Sequence, residues 1–306
     1  MDLLNSPIRG KVLWNESLSA HTSLKVGGRV QAYIFPKDVE EVCELLCLFQ
    51  KEHTRWWVLG DGSNFLPLDE DMDGVILNLA HCDEILILEE TKDHILVRVG
   101  AGVSKQKLLF WSLEKGFLGL EFLSGIPGQV GGGLFMNAGT HLGSFSDVTQ
   151  KVFLVDQKGK LEEKQLSPCD FSYRAQSFSK DKIIVGCILR LKHGNPKDIE
   201  EKVKKMISER KAAQPLQYPN CGSVFKNPNG FSAGKLIESV GLKEYRVGNA
   251  MVSSKHANFI INLGGATAKD ILMLIDHIKK TVKECKGIEL QEEVVIASKP
   301  HSTRLS

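Results

Sequence analysis

The chain has 306 residues, and 39 basic against 37 acidic side chains leave a formal charge of +2. That balance supplies no general field for nucleic acid, and the length points to two or three domains with a substantial core rather than a small binding module. Seven cysteines, Cys43, Cys47, Cys82, Cys169, Cys187, Cys221 and Cys285, are odd in number and form no C-x-x-C pair. This argues against a disulfide framework or a zinc site. With no signal-peptide core and no bilayer-length segment, the expectation is a reduced, cytoplasmic protein with no membrane partner.

The first predicted helix runs from Asp38 to His53, with Pro36 before it, a capping-box pattern at Asp38 and Glu41, and an apolar stripe of Val39, Val42, Leu46 and Phe49. Cys43 and Cys47, four apart on it, read as half-buried packing residues. A strand, WWVLG, then runs into GDGSN. Short β-like runs follow at 74–79, 84–89 and 94–100, then a helix from Ser104 to Lys115 that Gly116 ends. KVFLVDQKGKLEEKQL predicts a hairpin turning at Lys158-Gly159, and KIIVGCILRLKH a long strand. The order is α+β, without clean βαβ repetition.

At Gly194-Asn195-Pro196 the composition changes to a charged helix, PKDIEEKVKKMISERKAA, whose Glu200 and Lys204 are spaced to pair on a solvated face. It reads as a connector. Beyond it the predicted order is strand (GSVFK), helix (Ser232 to Val240), strand (AMVSS), strand (NFIINL), helix (Thr267 to Lys286) and strand (EVVIAS), a βαββαβ domain with helices on one face of a sheet.

Two stretches expose backbone. SGIPGQVGGGLFMNAG, residues 124–139, holds six glycines in sixteen positions and no charged side chain. An interior turn needs fewer; a phosphate bound here would be met by backbone N–H groups, which hold anions without formal charge. LGDGSN, residues 59–64, is a second glycine turn at a strand end, with Ser63 and Asn64 as side-chain donors. Together they suit the two phosphates of a dinucleotide, though neither is a Rossmann G-x-G-x-x-G or a P-loop.

Three further segments carry polar groups in apolar company. In FSYRAQSF, Arg174 either stacks on Tyr173 at the surface or forms a fork for a carboxylate. CGSVFKNP sets Ser223 after a glycine, with Lys226 and Asn227 beyond, and no G-x-S-x-G elbow marks the serine as a nucleophile. Glu292 and Glu293 head an apolar strand, so alternation sends them to opposite faces, and one pointing inward tends to stay protonated. His256 has no second ligand at metal spacing and reads as a packing or capping residue; no metal is expected.

The set HTSLKVGG (21–28), LGDGSN, SGIPGQVGGGLFMNAG, FSYRAQSF, CGSVFKNP, AGKLIESVGL (233–242), SSKHANFIIN (253–262) and GIELQEEVVI (287–296) closely resembles the UDP-N-acetylenolpyruvoylglucosamine reductase (MurB) family, in order and over nearly the whole chain. The resemblance implies a two-lobed FAD-binding fold of the vanillyl-alcohol-oxidase (PCMH) type and a C-terminal α+β substrate-binding domain. The implied limits are 1–75 and 76–195 for the lobes and 196–298 for the substrate domain with connector helix 196–213, leaving a tail at 299–306. It also implies non-covalent FAD, NADPH as hydride donor, and reduction of the enolpyruvyl ether of a UDP-sugar to UDP-N-acetylmuramate by a monomer.

By motif match, Arg174 and a protonated Glu293 would clamp the substrate carboxylate while Ser223 delivers the proton. Gly60, Gly62, Ser63, Asn64, Gly125, Ile126, Pro127, Gly128, Gly131, Gly132, Asn137 and Gly139 would contact FAD. Tyr173, Lys226 and Asn227 would contact the sugar nucleotide. The chain has Thr140-His141-Leu142 where the family commonly continues N-A-G with A-Y-G, and Ala213 where a lysine often precedes Q-P. Between Phe178 and Lys197 there is little room for the substrate-covering tyrosine loop of one family branch, so the chain resembles the branch without it. An FAD-dependent oxidase and a non-catalytic flavin binder are the alternatives. The oxidase often tethers flavin through His or Cys near the first glycine turn, and residues 60–66 contain neither.

Overall fold

The computed structural model describes residues 8–297. The expected tail lies outside them. The first part places β1 (Lys11–Ser17), β2 (Arg29–Phe35), α1 (Val39–Lys51), β3 (Trp56–Val58), β4 (Phe65–Leu66) and β5 (Met72–Leu77), with four strands in one sheet ordered β1-β2-β5-β3. Pairing is antiparallel between β1 and β2 and parallel from β2 to β5 and β3. Asp38 caps α1 by accepting from Glu41 N at 2.8 Å, but the predicted capping box is only half formed. Glu41, 1% exposed, turns instead to the backbone N–H groups of Arg9, Gly10 and Lys37. A buried carboxylate finds more donors there than the lone N–H of Asp38 offers.

The middle part begins with β6 (Ile85–Glu90), β7 (Ile95–Gly100), α2 (Lys105–Lys115) and β8 (Phe117–Leu118). It continues through α3 (Val130–Phe135), the small pair β9 (Gly139–Thr140) and β10 (Gly143–Ser144), then β11 (Thr149–Asp156) and β12 (Leu161–Gln165). The hairpin β13 (Phe171–Ser172) and β14 (Ala175–Gln176) precedes the long β15 (Lys182–His193). The second sheet runs β12-β11-β15-β7-β6 with β8 on β15. Helix α1 is sandwiched: Val42, Leu46 and Phe49 share one core with Ile34 and Val75 of the first sheet and with Val155 and Ile183 of the second. Helix α4 (Pro196–Ala213) carries the expected Glu200–Lys204 pair at 2.6 Å, yet it is more than a solvated connector. Its Ile199 and Val203 join Leu108, Val130 and Phe145 in the core of the second sheet.

The last part holds α5 (Ala233–Ser239), β16 (Arg246–Val247), β17 (Ala250–Val252), β18 (Ile260–Asn262), α6 (Ala268–Lys286) and β19 (Val295–Ile296). Helix α6 is bounded as its sequence dictates, by a Thr267/Asp270 capping box and by Gly287 in the left-handed region at φ 69°. The sheet differs from the predicted βαββαβ. Only β16, β17 and β18 pair with one another, antiparallel; GSVFK makes an isolated bridge from Phe225 to Glu292. EVVIAS leaves the domain altogether, since β19 pairs in parallel with β4 of the first part. The strand lies in a short apolar run, Val294 to Ala297, that suits any free edge, and the one within reach lies in the first lobe.

Candidate active site

Three loops and one returning strand build the site. The first glycine turn follows β3, and Gly62 takes φ 58° where a Cβ would stand 2.2 Å from the His21 carbonyl. The Gly62 carbonyl accepts from Ser23 N at 3.1 Å. Asn64, expected as a phosphate donor, turns its side-chain amide to the Glu293 carbonyl at 3.0 Å, while its own carbonyl accepts from Val295 N at 3.0 Å. It therefore fixes the segment that bears Glu293 and leads into β19. The second turn lies against the segment before α2: the Gly128 carbonyl accepts from Lys105 N, and Val130 N and Gly131 N donate to Val103 and Ala101.

Arg174 sits at the tip of the β13–β14 hairpin with φ 54°, a left-handed conformation that a non-glycine residue keeps only when its surroundings hold it. Its Nε donates to Glu293 Oε1 at 2.7 Å and its Nη2 to the Gly139 carbonyl at 3.2 Å. The guanidinium also lies 5.3 Å from the Tyr173 ring centroid, as the stacking reading expects, while its single bond to a carboxylate, from Nε to Glu293, is not the two-bond fork. Asn137 secures the hairpin from beneath: its amide donates to the Ser172 carbonyl and accepts from Ser146 N.

Ser223 follows Gly222 (φ 78°) into a clamped segment. The Asn258 side chain accepts from Phe225 N at 3.0 Å and donates to the Phe225 carbonyl at 2.8 Å. Val224 N donates to the Asn258 carbonyl, and Glu293 N to the Val224 carbonyl at 2.8 Å. Alternation separates the two glutamates as predicted: Glu292 pairs with Lys279 of α6 at 2.6 Å, and Glu293 faces Arg174. Burial raises the Glu293 carboxyl above its ordinary value against the pull of Arg174 and Lys226.

These groups meet in one cleft of about 1060 Å³. Gly60, Gly62, Ser63, Asn64, Ile126, Pro127, Gly128, Gly132 and Gly139 line it together with Arg174, Ser223 and Glu293. An apolar recess of about 760 Å³, walled by Trp57, Val58, Leu79 and Ile184, shares Gly60, Gln129 and Gly132 with the cleft and adds Gly131. Gly125 and Asn137 line neither; Gly125 abuts the Arg210 side chain, and Asn137 serves the hairpin as described. Tyr173, Lys226 and Asn227 are likewise outside both linings, with Tyr173 54% exposed and its hydroxyl 3.5 Å from Asn227 N. His256 accepts from Asn258 N and packs edge-on against Phe259, a loop-holding role.

Sequence reasoning missed Lys105, Arg210, Asp61 and Gln129, which also line the cleft. Lys105 and Arg210, as charged residues on helices, read as solvated, while Asp61 and Gln129 lie within the two glycine turns and carry no signal that separates them from turn residues. Arg210 Nε is buried with no hydrogen-bond partner among the described residues, and its guanidinium is shifted down by burial and by Arg174. It enters the cleft from α4 one turn before Ala213.

Residues 30–164 match the family described as FAD binding domain, and residues 214–297 match UDP-N-acetylenolpyruvoylglucosamine reductase, C-terminal domain. The UDP-N-acetylenolpyruvoylglucosamine reductase of Bacillus subtilis is 39% identical over 289 residues, covering 94% of each chain. The chain belongs to the UDP-N-acetylenolpyruvoylglucosamine reductase family. The Geobacter metallireducens member is 40% identical over 96% of both chains. The crystal structure of the family member from Thermus caldophilus superposes with a TM-score of 0.77 at 33% identity, over 94% of this chain and 98% of that one. The fold is thus the PCMH-type FAD-binding domain joined to the family's C-terminal domain.

The residues present fit the FAD of this family. Gly132 opens onto space with nothing within 4 Å of a Cβ built there, a ready approach for a ligand to the main chain. The orphaned Arg210 Nε awaits an acceptor. Three cations, Lys105, Arg174 and Arg210, line the cleft against the carboxylates of Asp61 and Glu293, an excess of positive charge suited to a dinucleotide and a UDP-sugar.

Proposed function

We propose that this chain reduces the enolpyruvyl ether of UDP-N-acetylglucosamine-enolpyruvate to UDP-N-acetylmuramate, a step of peptidoglycan precursor synthesis. Bound FAD would supply the hydride chemistry, two electrons from NADPH delivered to the vinyl group of the substrate. The observation that carries the reading is the Arg174–Glu293 pair beside Ser223 in a cleft walled by both glycine turns. Addition to the terminal vinyl carbon leaves negative charge on the carbon next to the substrate carboxylate. Arg174 holds that carboxylate, and Glu293, whose carboxyl burial raises above its ordinary value, donates in its protonated form a hydrogen bond where the charge develops. Ser223 then gives its proton to the carbanion, a base strong enough to take it.

Both glycine turns would hold FAD through backbone and through Ser63, with Gly132 at the wall shared by cleft and recess and Gly131 in the recess. Tyr173, Lys226 and Asn227, close to the hairpin and to Ser223, contact the sugar nucleotide at the mouth. The domain limits proposed for this division are 1–75, 76–195 and 196–298, with the first boundary moved past Leu77 because β5 (Met72–Leu77) belongs to the first sheet. We place the reaction in the cytoplasm as the work of a monomer; seven unpaired cysteines suit a reducing compartment. Among the described residues, no helix is long and apolar enough to cross a membrane.

Anaerobic visible spectra test the reading. A flavin spectrum that bleaches with NADPH and returns only on adding the enolpyruvyl UDP-sugar supports it. Recovery only in air supports the oxidase, and absence of flavin binding removes the assignment. In Ser223→Ala, FAD binding and bleaching are retained while return with the sugar slows about 10²–10⁴-fold; unchanged turnover removes Ser223 as proton donor.

A further inference from the structure

The second glycine turn carries no charge of its own, so an anion there appears at first to depend on backbone amides alone. Folding brings a charge to it. Lys105, the first residue of α2, is only 6% exposed and lines the cleft. Its backbone N–H donates to the Gly128 carbonyl at 2.9 Å, which locks the start of the helix to the turn. A Cβ added to Gly128, where φ is +100°, would stand 3.3 Å from Lys105 Nζ and 2.8 Å from Ser63 Oγ. The ammonium, the hydroxyl of the first glycine turn and the bare backbone of the second therefore converge on one point.

A desolvated ammonium is costly unless an anion faces it. Asp61 supplies part of that charge but also takes a hydrogen bond from Gln129, while Arg174 and Arg210 face Lys105 as like charges. Arg174 is already engaged by Glu293. The local balance is positive, and an anionic ligand completes it.

We propose that Lys105 binds the pyrophosphate of FAD, as a charged member of a cradle otherwise made of glycine backbone and the Ser63 hydroxyl. The proposal rests on the FAD assignment above. Burial and the two arginines lower the Lys105 ammonium to about 8, against the pull of Asp61. Pyrophosphate selects the ammonium form, so affinity is full below that value and falls as pH rises through it.

The test is titration of FAD-stripped full-length protein with FAD, followed by flavin fluorescence from pH 7 to pH 9.5, for the wild type, Lys105→Met and Lys105→Arg. Binding of FAD by the wild type tests the assignment; the variants test this inference. Lys105→Met weakens FAD about 10- to 100-fold at pH 7, the worth of one charge-assisted hydrogen bond. Wild-type affinity falls about tenfold between pH 7 and pH 9, and both variants lose that dependence, Lys105→Arg while keeping affinity. Should Lys105→Met misfold by circular dichroism, the wild-type and Lys105→Arg profiles decide. Wild-type-like FAD affinity in a folded Lys105→Met, or a pH dependence that persists in Lys105→Arg, overturns the inference. So does a raised KM for the UDP-sugar with unchanged FAD affinity, which assigns the lysine to the sugar diphosphate.

Discussion

Arg174 Nε and Glu293 Oε1 are 2.7 Å apart although 119 positions separate them in the chain. One comes from a hairpin tip, the other from a strand that has crossed back to the first lobe, so the pair forms only when every part of the molecule is docked. Because burial raises the Glu293 carboxyl, its protonated form survives to higher pH than in a free glutamate. Reoxidation of the reduced enzyme by the UDP-sugar is therefore full at low pH and declines as pH rises through that raised value. The same sign holds for stability: the contribution is complete below the ordinary glutamate range and is lost as pH rises through the folded value. Glu293→Ala slows this half-reaction about 10²–10³-fold, and Glu293→Gln recovers part of the rate with no pH dependence from this group. Rapid-mixing measurements across pH check both; an unchanged pH profile in Glu293→Gln removes the glutamate from this role.

Arg210 illustrates a site that trades stability for ligand binding. Its buried Nε has no partner among the described residues. Arg210→Met keeps the stem packed against Gly125 and stabilises the ligand-free chain by about 1 kcal/mol. The gain in melting temperature on adding FAD or the UDP-sugar shrinks in the same variant. Thermal melts with and without each ligand measure the two effects separately, and a destabilised ligand-free variant contradicts the account.

Asn258, 4% exposed, closes both hydrogen bonds of the Phe225 backbone two residues from Ser223. Asn258→Ala leaves a buried N–H and a buried carbonyl unpaired and costs about 2–4 kcal/mol of stability. Proton delivery by Ser223 slows in the folded fraction, while flavin reduction by NADPH, which needs no Ser223, is spared. Chemical denaturation and the two half-reactions, measured separately, test this; equal slowing of both half-reactions points to a general loosening instead.

Much of the fold was legible because its signals are local. The caps at Asp38, Thr267, Gly116 and Gly287 sit where left-handed turns and side-chain acceptors are needed, and the structure uses each of them. The alternation of Glu292 and Glu293 is equally local and was read before any contact was known. The βαββαβ reading of the C-terminal part failed where pairing is not local, since two apolar residues at Val295–Ile296 carry no mark of the edge they join.

By itself, the sequence determined helices α1, α2, α4, α5 and α6 to within a residue or two, the glycine turns, the family, and the three side chains proposed for the chemistry, but not α3, which lies inside the second glycine stretch. Only the tertiary structure decided that Lys105 and Arg210 enter the cleft and that Asn64 and Asn137 brace strands and hairpin. A lysine at a helix start and an arginine on a charged helix have the same sequence appearance whether they face water or a ligand. Their direction is set by what packs behind the helix: Lys105 through the docking of α2 on the Gly128 turn, Arg210 through the burial of Ile199 and Val203 on the second sheet.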